Sequence, residues 1–142
     1  MKTADRIEKT LADVLKRARL DPAPPKLAAA LNYSVFPGGA RVRPQLSMAV
    51  SLACGDDNPV LSNAAAAAIE LIHCASLIHD DLPCFDDANL RRGKPSVHRA
   101  FDEPVAVLAG DSLIMMAFEL LGRSSTKTPL RLPGLISVLG KS

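Results

Sequence analysis

From Val60 to Leu82 the chain runs without a proline or glycine and carries five consecutive alanines, Ala64–Ala68. No other stretch constrains the fold as much. Alanine loses least on entering a helix. Asn58-Pro59 supplies a start at which proline's missing N–H costs nothing, and Pro83 opposes continuation. The helix expected here is apolar nearly all round, a pattern that calls for burial among other helices.

Glu103-Pro104 starts a second helix of this kind, through Val107, Leu108, Leu113, Met116 and Leu120 to about Gly122. Leu130 to Leu139 reads as a third. Ile7, Leu11, Val14, Leu15 and Ala18 recur at helical spacing within residues 3 to 20, and Asp21-Pro22-Ala23-Pro24-Pro25 stops that helix. Shorter helices are expected from Lys26 to Ser34, broken by Pro37-Gly38-Gly39, and from Pro44 to Gly55. Residues 83 to 96 are polar and hold Gly93 and Pro95, so they read as loop. No segment reads as a strand and no repeat is evident. The fold class is all-α, and the apolar fraction, rich in Ala, Leu, Val and Ile with only 4% aromatics, suits close helix packing.

Composition removes several classes of function. The net charge is +2, and the longest basic run in the central region is the pair Arg91-Arg92, with few aromatics to stack bases. No nucleic-acid partner is expected. No apolar stretch of transmembrane length is free of charges, so no membrane span is expected. Cys54, Cys74 and Cys84 show no CxxC spacing and read as reduced thiols of a cytoplasmic protein.

The chemistry is concentrated in His79-Asp80-Asp81-Leu82-Pro83-Cys84-Phe85-Asp86-Asp87, followed by Leu90-Arg91-Arg92-Gly93. These four carboxylates repel one another, and Asp80 and Asp81 sit at a helix C-terminus, where the dipole disfavours negative charge. A cation would relieve both. All-oxygen ligands point to magnesium, manganese or calcium, and the spacing lacks the alternation of a calcium-binding EF-hand. Magnesium commonly shares one or two carboxylates with phosphate oxygens, and Arg91-Arg92 suits phosphate. The bland alternative is a solvated acidic loop neutralised by Arg91, Arg92 and Lys94. A zinc site from His73, Cys74, His79 and Cys84 matches no usual spacing.

From about Tyr33 to Leu121 the sequence resembles the trans-polyprenyl diphosphate synthases. The resemblance rests on Gly38-Gly39-Ala40-Arg41-Val42-Arg43-Pro44, Glu70-Leu71-Ile72-His73 and Ser76-Leu77-Ile78-His79-Asp80-Asp81-Leu82-Pro83. Leu90-Arg91-Arg92-Gly93-Lys94-Pro95, His98 and Leu108-Ala109-Gly110-Asp111 continue it in order. It implies a helical bundle of the isoprenoid synthase type, Mg2+ as cofactor, and isopentenyl diphosphate and an allylic diphosphate as substrates, in a homodimer. By resemblance, Asp80, Asp81 and Asp86 bind magnesium and Arg91 contacts the allylic diphosphate. Arg43, His73 and Arg92 bind isopentenyl diphosphate, with Arg41 nearby. His73 precedes Asp80 by two helical turns and so shares its face. Ala40 stands where the family often has lysine, which removes one cation from that site.

In such enzymes the residue five before the first Asp helps set the floor of the elongation pocket. Here it is Ala75, beside Ser76, about 7.5 Å deeper along the helix. Small residues there favour a long product, geranylgeranyl diphosphate first. The resemblance implies a second Asp-rich motif, and no Asp follows Asp111. Residues 1–142 therefore read as the N-terminal part of a synthase domain, with little turnover expected alone. A non-catalytic or regulatory partner of a full-length synthase is the alternative. A terpene cyclase, the third reading, has no use for the Gly38–Pro44 block and His73.

Overall fold

The computed structural model describes residues 2–20 and 23–141, so Asp21-Pro22 of the expected first stop lie outside the described residues. Helices α1 (Thr3–Ala18), α2 (Pro25–Val35), α3 (Val42–Ala53) and α4 (Pro59–Asp80) follow one another. A two-stranded ribbon, β1 (Leu90–Arg91) with β2 (Lys94–Pro95), and the short α5 (Val97–Ala100) lead into α6 (Glu103–Ser124). A 3-10 turn at Pro129–Arg131 precedes α7 (Leu132–Lys141). The all-α class holds.

Two long helices organise the bundle, and both start as their sequences imply. The Asn58 side chain accepts the Leu61 N–H at 3.2 Å, and Asp102 accepts the Val105 N–H at 2.8 Å, each satisfying a donor that the first turn leaves free. α4 and α6 pack chiefly against each other and run antiparallel: His79 lies against Val107, whereas Ile72 and Ser76 share a groove with Ile114 and Phe118. By length and apolarity alone each is able to cross a membrane; here they form the centre of a bundle. Both carry small buried residues, Ala64, Ala67 and Ala68 on α4 and Ala106, Ala109, Gly110 and Ala117 on α6, and small side chains let helix backbones approach closely. A Cβ on Gly110 would lie 2.1 Å from His79 Nε2, so that position admits glycine alone without movement of the ring. Ile7, Leu11, Val35, Met48, Leu71 and Leu113 fill the remaining core, each worth about 1.5–3 kcal/mol on burial.

Burial of the other apolar helices is partial. α6 leaves Val107, Leu108 and Met115 exposed, α3 leaves Val42, Leu46 and Val50, and on α7 only Leu139 is buried. The boundaries move slightly: α3 begins two residues before Pro44, and α4 ends at Asp80. Residues 83 to 96, read as plain loop with no strand, contain the ribbon, and α5 follows directly after them. The ribbon's turn, Arg92-Gly93, has φ of 54° and 77°, the two positive values that a two-residue hairpin of this hand needs. The Gly93 signal was present, but Arg at the other left-handed position disguised it.

Candidate functional site

At the C-terminal end of α4 the chain curls back on itself. The Asp86 N–H donates to the Asp80 carbonyl at 2.9 Å, the Asp87 N–H to that of Leu82 at 3.1 Å, and the Ala88 N–H to that of Asp81 at 3.1 Å. The last carbonyls of the helix are thus satisfied by the loop itself. This curl separates the four carboxylates. Asp80 and Asp86 are exposed and joined by that backbone hydrogen bond, with no ion pair on either side chain among the described residues. Asp81 is 1% exposed, and Arg91 donates to both its oxygens, Nη2 to Oδ1 at 2.6 Å and Nε to Oδ2 at 3.1 Å. That paired hydrogen bonding raises the Arg91 pKa above the ordinary arginine value. Asp87, at φ 46°, is held by Arg99 at 3.1 Å.

The three carboxylates expected to act alike therefore stand in two different situations. Asp80 and Asp86 face solvent as free oxygen donors, while Asp81 is engaged with Arg91. No group of three His, Cys, Asp or Glu side chains is arranged to hold a metal ion by itself among the described residues. An exposed carboxylate pair fits magnesium in the way magnesium is usually held, with the remaining ligands from water and phosphate.

A cationic cluster lies beside this end of α4. The pKa of His73 is lowered, first by burial and then by the nearby charge of Arg43, with Arg92 and Arg91 adding to it. His73, Arg43, Arg91 and Arg92 thus lie within electrostatic reach of one another, with Glu70 acting on His73 in the opposite sense. Arg92 projects from the hairpin turn over the Gly38-Gly39 segment: a Cβ on Gly39 would come within 2.8 Å of its guanidinium. Lys94 anchors the hairpin to α2, donating to the Tyr33 and Phe36 carbonyls at 2.6 and 3.1 Å and lying 3.9 Å from the Tyr33 ring centroid. Burial, then Arg92, lowers its pKa.

Arg41 is placed elsewhere. It is 7% exposed, and its guanidinium donates to Glu8, Glu70 and the Val35 carbonyl, at 2.8 Å in each case. Burial opposes its charge, but the Glu8 and Glu70 hydrogen bonds outweigh this and raise its pKa. With these donors committed, Arg41 ties α1, α2 and α4 together behind the glycine pair and holds the segment that presents Arg43. Sequence reasoning missed this role; the signal was Glu70, a carboxylate inside an otherwise apolar helix. It also gave no role to Ser96 and His98, which are buried under the acidic loop.

Ala75 and Ser76 border one groove with Ile72, Ile114 and Phe118. Ala75 is closed over at 1% exposure, whereas Ser76 is exposed.

Architecture and site together define a helical protein of the isoprenoid synthase fold. Its described part overlays an isoprenoid synthase from Thermotoga neapolitana with a TM-score of 0.81 and 35% identity, covering 98% of this chain and 52% of that one. A geranyltransferase from Legionella pneumophila gives 0.77 and 42% identity over 87% of this chain and 42% of its own length. Residues 24–139 match the polyprenyl synthetase family, and the chain belongs to it. It is 60% identical over 134 residues to the geranylgeranyl diphosphate synthase of Cereibacter sphaeroides and 57% identical over 136 to that of Rhodobacter capsulatus. These alignments take in 94% and 96% of this chain but 46% and 47% of the relatives, so the chain spans about half the length of the curated relatives it matches.

Proposed function

We propose that this chain supplies the allylic-diphosphate acidic pair and the isopentenyl-diphosphate cationic cluster of a prenyl-elongating enzyme whose product is geranylgeranyl diphosphate. The observation that carries this reading is the pairing of two free, exposed carboxylates, Asp80 and Asp86, with His73, Arg43, Arg91 and Arg92 at one end of α4. Asp80 and Asp86 would hold magnesium there, and the ion, when bound, would supply charge neutralisation for the diphosphate of the allylic substrate. Asp80 and Asp86 orient that diphosphate. Arg91 adds a fork of donors at the same end, positioned by Asp81. In this reading Asp81 acts through Arg91 rather than as a metal ligand.

Arg43, Arg92 and His73 hold the second diphosphate, so that its double bond lies over the allylic carbon as the C–O bond ionises. An apolar wall around Ile72, Ile114 and Phe118 keeps water from the resulting cation and receives the growing chain. Ser76, small and exposed, puts little bulk beside that groove, which favours a C20 product.

The test joins this chain to the half of the Cereibacter relative that it does not span. The combined protein is given magnesium, labelled isopentenyl diphosphate and farnesyl diphosphate, and the alcohols released by phosphatase are identified. A labelled C20 alcohol that disappears with Asp80→Asn supports the reading. Absence of label incorporation by a folded, diphosphate-binding hybrid overturns it. A non-catalytic partner of a synthase is the second reading. It is favoured by the apolar residues exposed on α3 and α6, and it predicts a stable complex with a full-length synthase and no dependence of that complex on Asp80.

A further inference from the structure

Two carbonyls at the C-terminal end of α2 lack the partner that a continuing helix would give them. That of Tyr33 would accept from the N–H of residue 37, which is a proline and has none, and that of Phe36 lies past the last turn. α2 has no basic residue in its last turn to cover them. Lys94 covers both from the hairpin, its Nζ donating to the Tyr33 carbonyl at 2.6 Å and to that of Phe36 at 3.1 Å, over the Tyr33 ring. Tyr33 returns the contact: its hydroxyl donates to the Pro95 carbonyl at 2.8 Å. Lys94 and Tyr33 thus form a reciprocal clasp between α2 and β2.

Lys94 pairs with Arg91 across the ribbon, so these two residues flank the Arg92-Gly93 turn. Each strand has its own tie to the bundle, β1 through the Arg91 fork on Asp81 and β2 through the clasp. The turn depends on such ties. Arg92, at φ 54°, holds a left-handed conformation that a residue with a side chain keeps where its surroundings enforce it. Arg92 is exposed and has no ion pair among the described residues, so the backbone beneath it sets where it stands. That backbone puts its guanidinium against Gly39, shortly beyond the Phe36 carbonyl that Lys94 holds. One side chain therefore joins the hairpin carrying Arg92 to the segment leading to Arg43.

We propose that Lys94 is the positioning residue of the isopentenyl-diphosphate cluster: clasped to the open end of α2, it fixes the hairpin turn over Gly39 and so sets Arg92 beside Arg43 and His73. Its ammonium is engaged with the two carbonyls and is not itself a diphosphate ligand. The allylic side is held separately, because the Arg91 fork on Asp81 does not pass through the clasp. The diphosphate part of this inference rests on the function proposed above; the clasp does not.

Three variants of the 142-residue chain separate position from charge. Lys94→Met removes the clasp and the cation, Tyr33→Phe removes the Pro95 tie and keeps the cation, and Lys94→Arg restores donors for both carbonyls. Calorimetry reads isopentenyl diphosphate without metal and farnesyl diphosphate with magnesium, and nitrogen-15 relaxation reads the Arg92 amide. Lys94→Met is expected to weaken isopentenyl diphosphate at least ~10-fold, as misplacement of a binding group by about 1 Å does, with farnesyl diphosphate held within about threefold. Its Arg92 order parameter is expected to fall from about 0.85, a rigid backbone, to below about 0.6. Tyr33→Phe, which is expected to fold whatever Lys94→Met does, shows both effects in smaller measure, and Lys94→Arg returns both toward wild type. Equal losses for the two diphosphates, an unchanged Arg92 order parameter in Lys94→Met, or a Tyr33→Phe chain that matches wild type in both readouts overturns the proposal. A wild-type chain that binds no isopentenyl diphosphate overturns the function reading, while the Arg92 relaxation still decides the clasp.

Discussion

Replacing Glu70 by glutamine tests the structural logic behind the glycine-pair segment. Glu70 is buried on α4, and Arg41 Nη1 donates to its Oε1 at 2.8 Å. At that separation, with an effective dielectric of about 20, the direct attraction is ~6 kcal/mol before desolvation is counted. Glutamine keeps the shape and an acceptor but leaves a buried guanidinium with one carboxylate, Glu8, whose side chain is 44% exposed. Removing one member of a buried pair costs about 3–5 kcal/mol, and the surviving Glu8 places this case near the lower end, ~3 kcal/mol. For a chain of this size that corresponds to a fall of roughly 10 °C in melting temperature. Glu8→Gln removes the solvent-facing partner and is expected to cost about 0.5–1 kcal/mol. Urea denaturation followed by circular dichroism at 222 nm measures both. A Glu70→Gln variant within about 1 kcal/mol of wild type, or equal costs for the two substitutions, refutes the argument.

Gly39→Ala pushes only the flexible end of Arg92, so isopentenyl diphosphate binding, read by calorimetry, is expected to fall ~10-fold with a melting temperature nearly unchanged. Because the folded pKa of His73 lies below its unfolded value, its neutral form is the one the fold prefers; stability is expected to decline as pH falls through the region below 6.5, and less so in His73→Gln. Burial pushes the Cys74 thiol up to about 11, so at pH 8 iodoacetamide is expected to label the exposed Cys54 and Cys84 and spare Cys74, as peptide mass mapping will show. Ser76→Phe, at an exposed position, is expected to shorten the product of the hybrid enzyme without loss of stability, whereas Ala75→Phe overpacks a closed site and costs an additional ~1–3 kcal/mol in urea melts.

The fold was largely legible because its signals are local. Caps at Asn58 and Asp102, prolines at the first turns and the alanine run each act within a few residues, and α4 and α6 formed where they point. The site was legible in composition but not in arrangement. Asp80 and Asp81 are neighbours in sequence, yet the helix ends between them, so one faces solvent and the other turns inward to Arg91. That difference depends on a hairpin ten residues away, whose Arg92-Gly93 turn carries a residue seldom chosen for a positive φ. Arg41 was placed near Arg43 at the diphosphate site, because the two stand two residues apart in the chain. Only the three-dimensional position of Glu70 and Glu8, far along the chain, assigns the first to the interior. His98 was visible as a motif member, but not its burial beside Ser96.

The most direct test of the central claim is a calorimetric titration of the 142-residue chain with farnesyl diphosphate, with and without magnesium. The account predicts binding that requires magnesium, is abolished by Asp80→Asn or Asp86→Asn, and persists, weakened, in Asp81→Asn. Binding indifferent to magnesium and to both exposed carboxylates would contradict it.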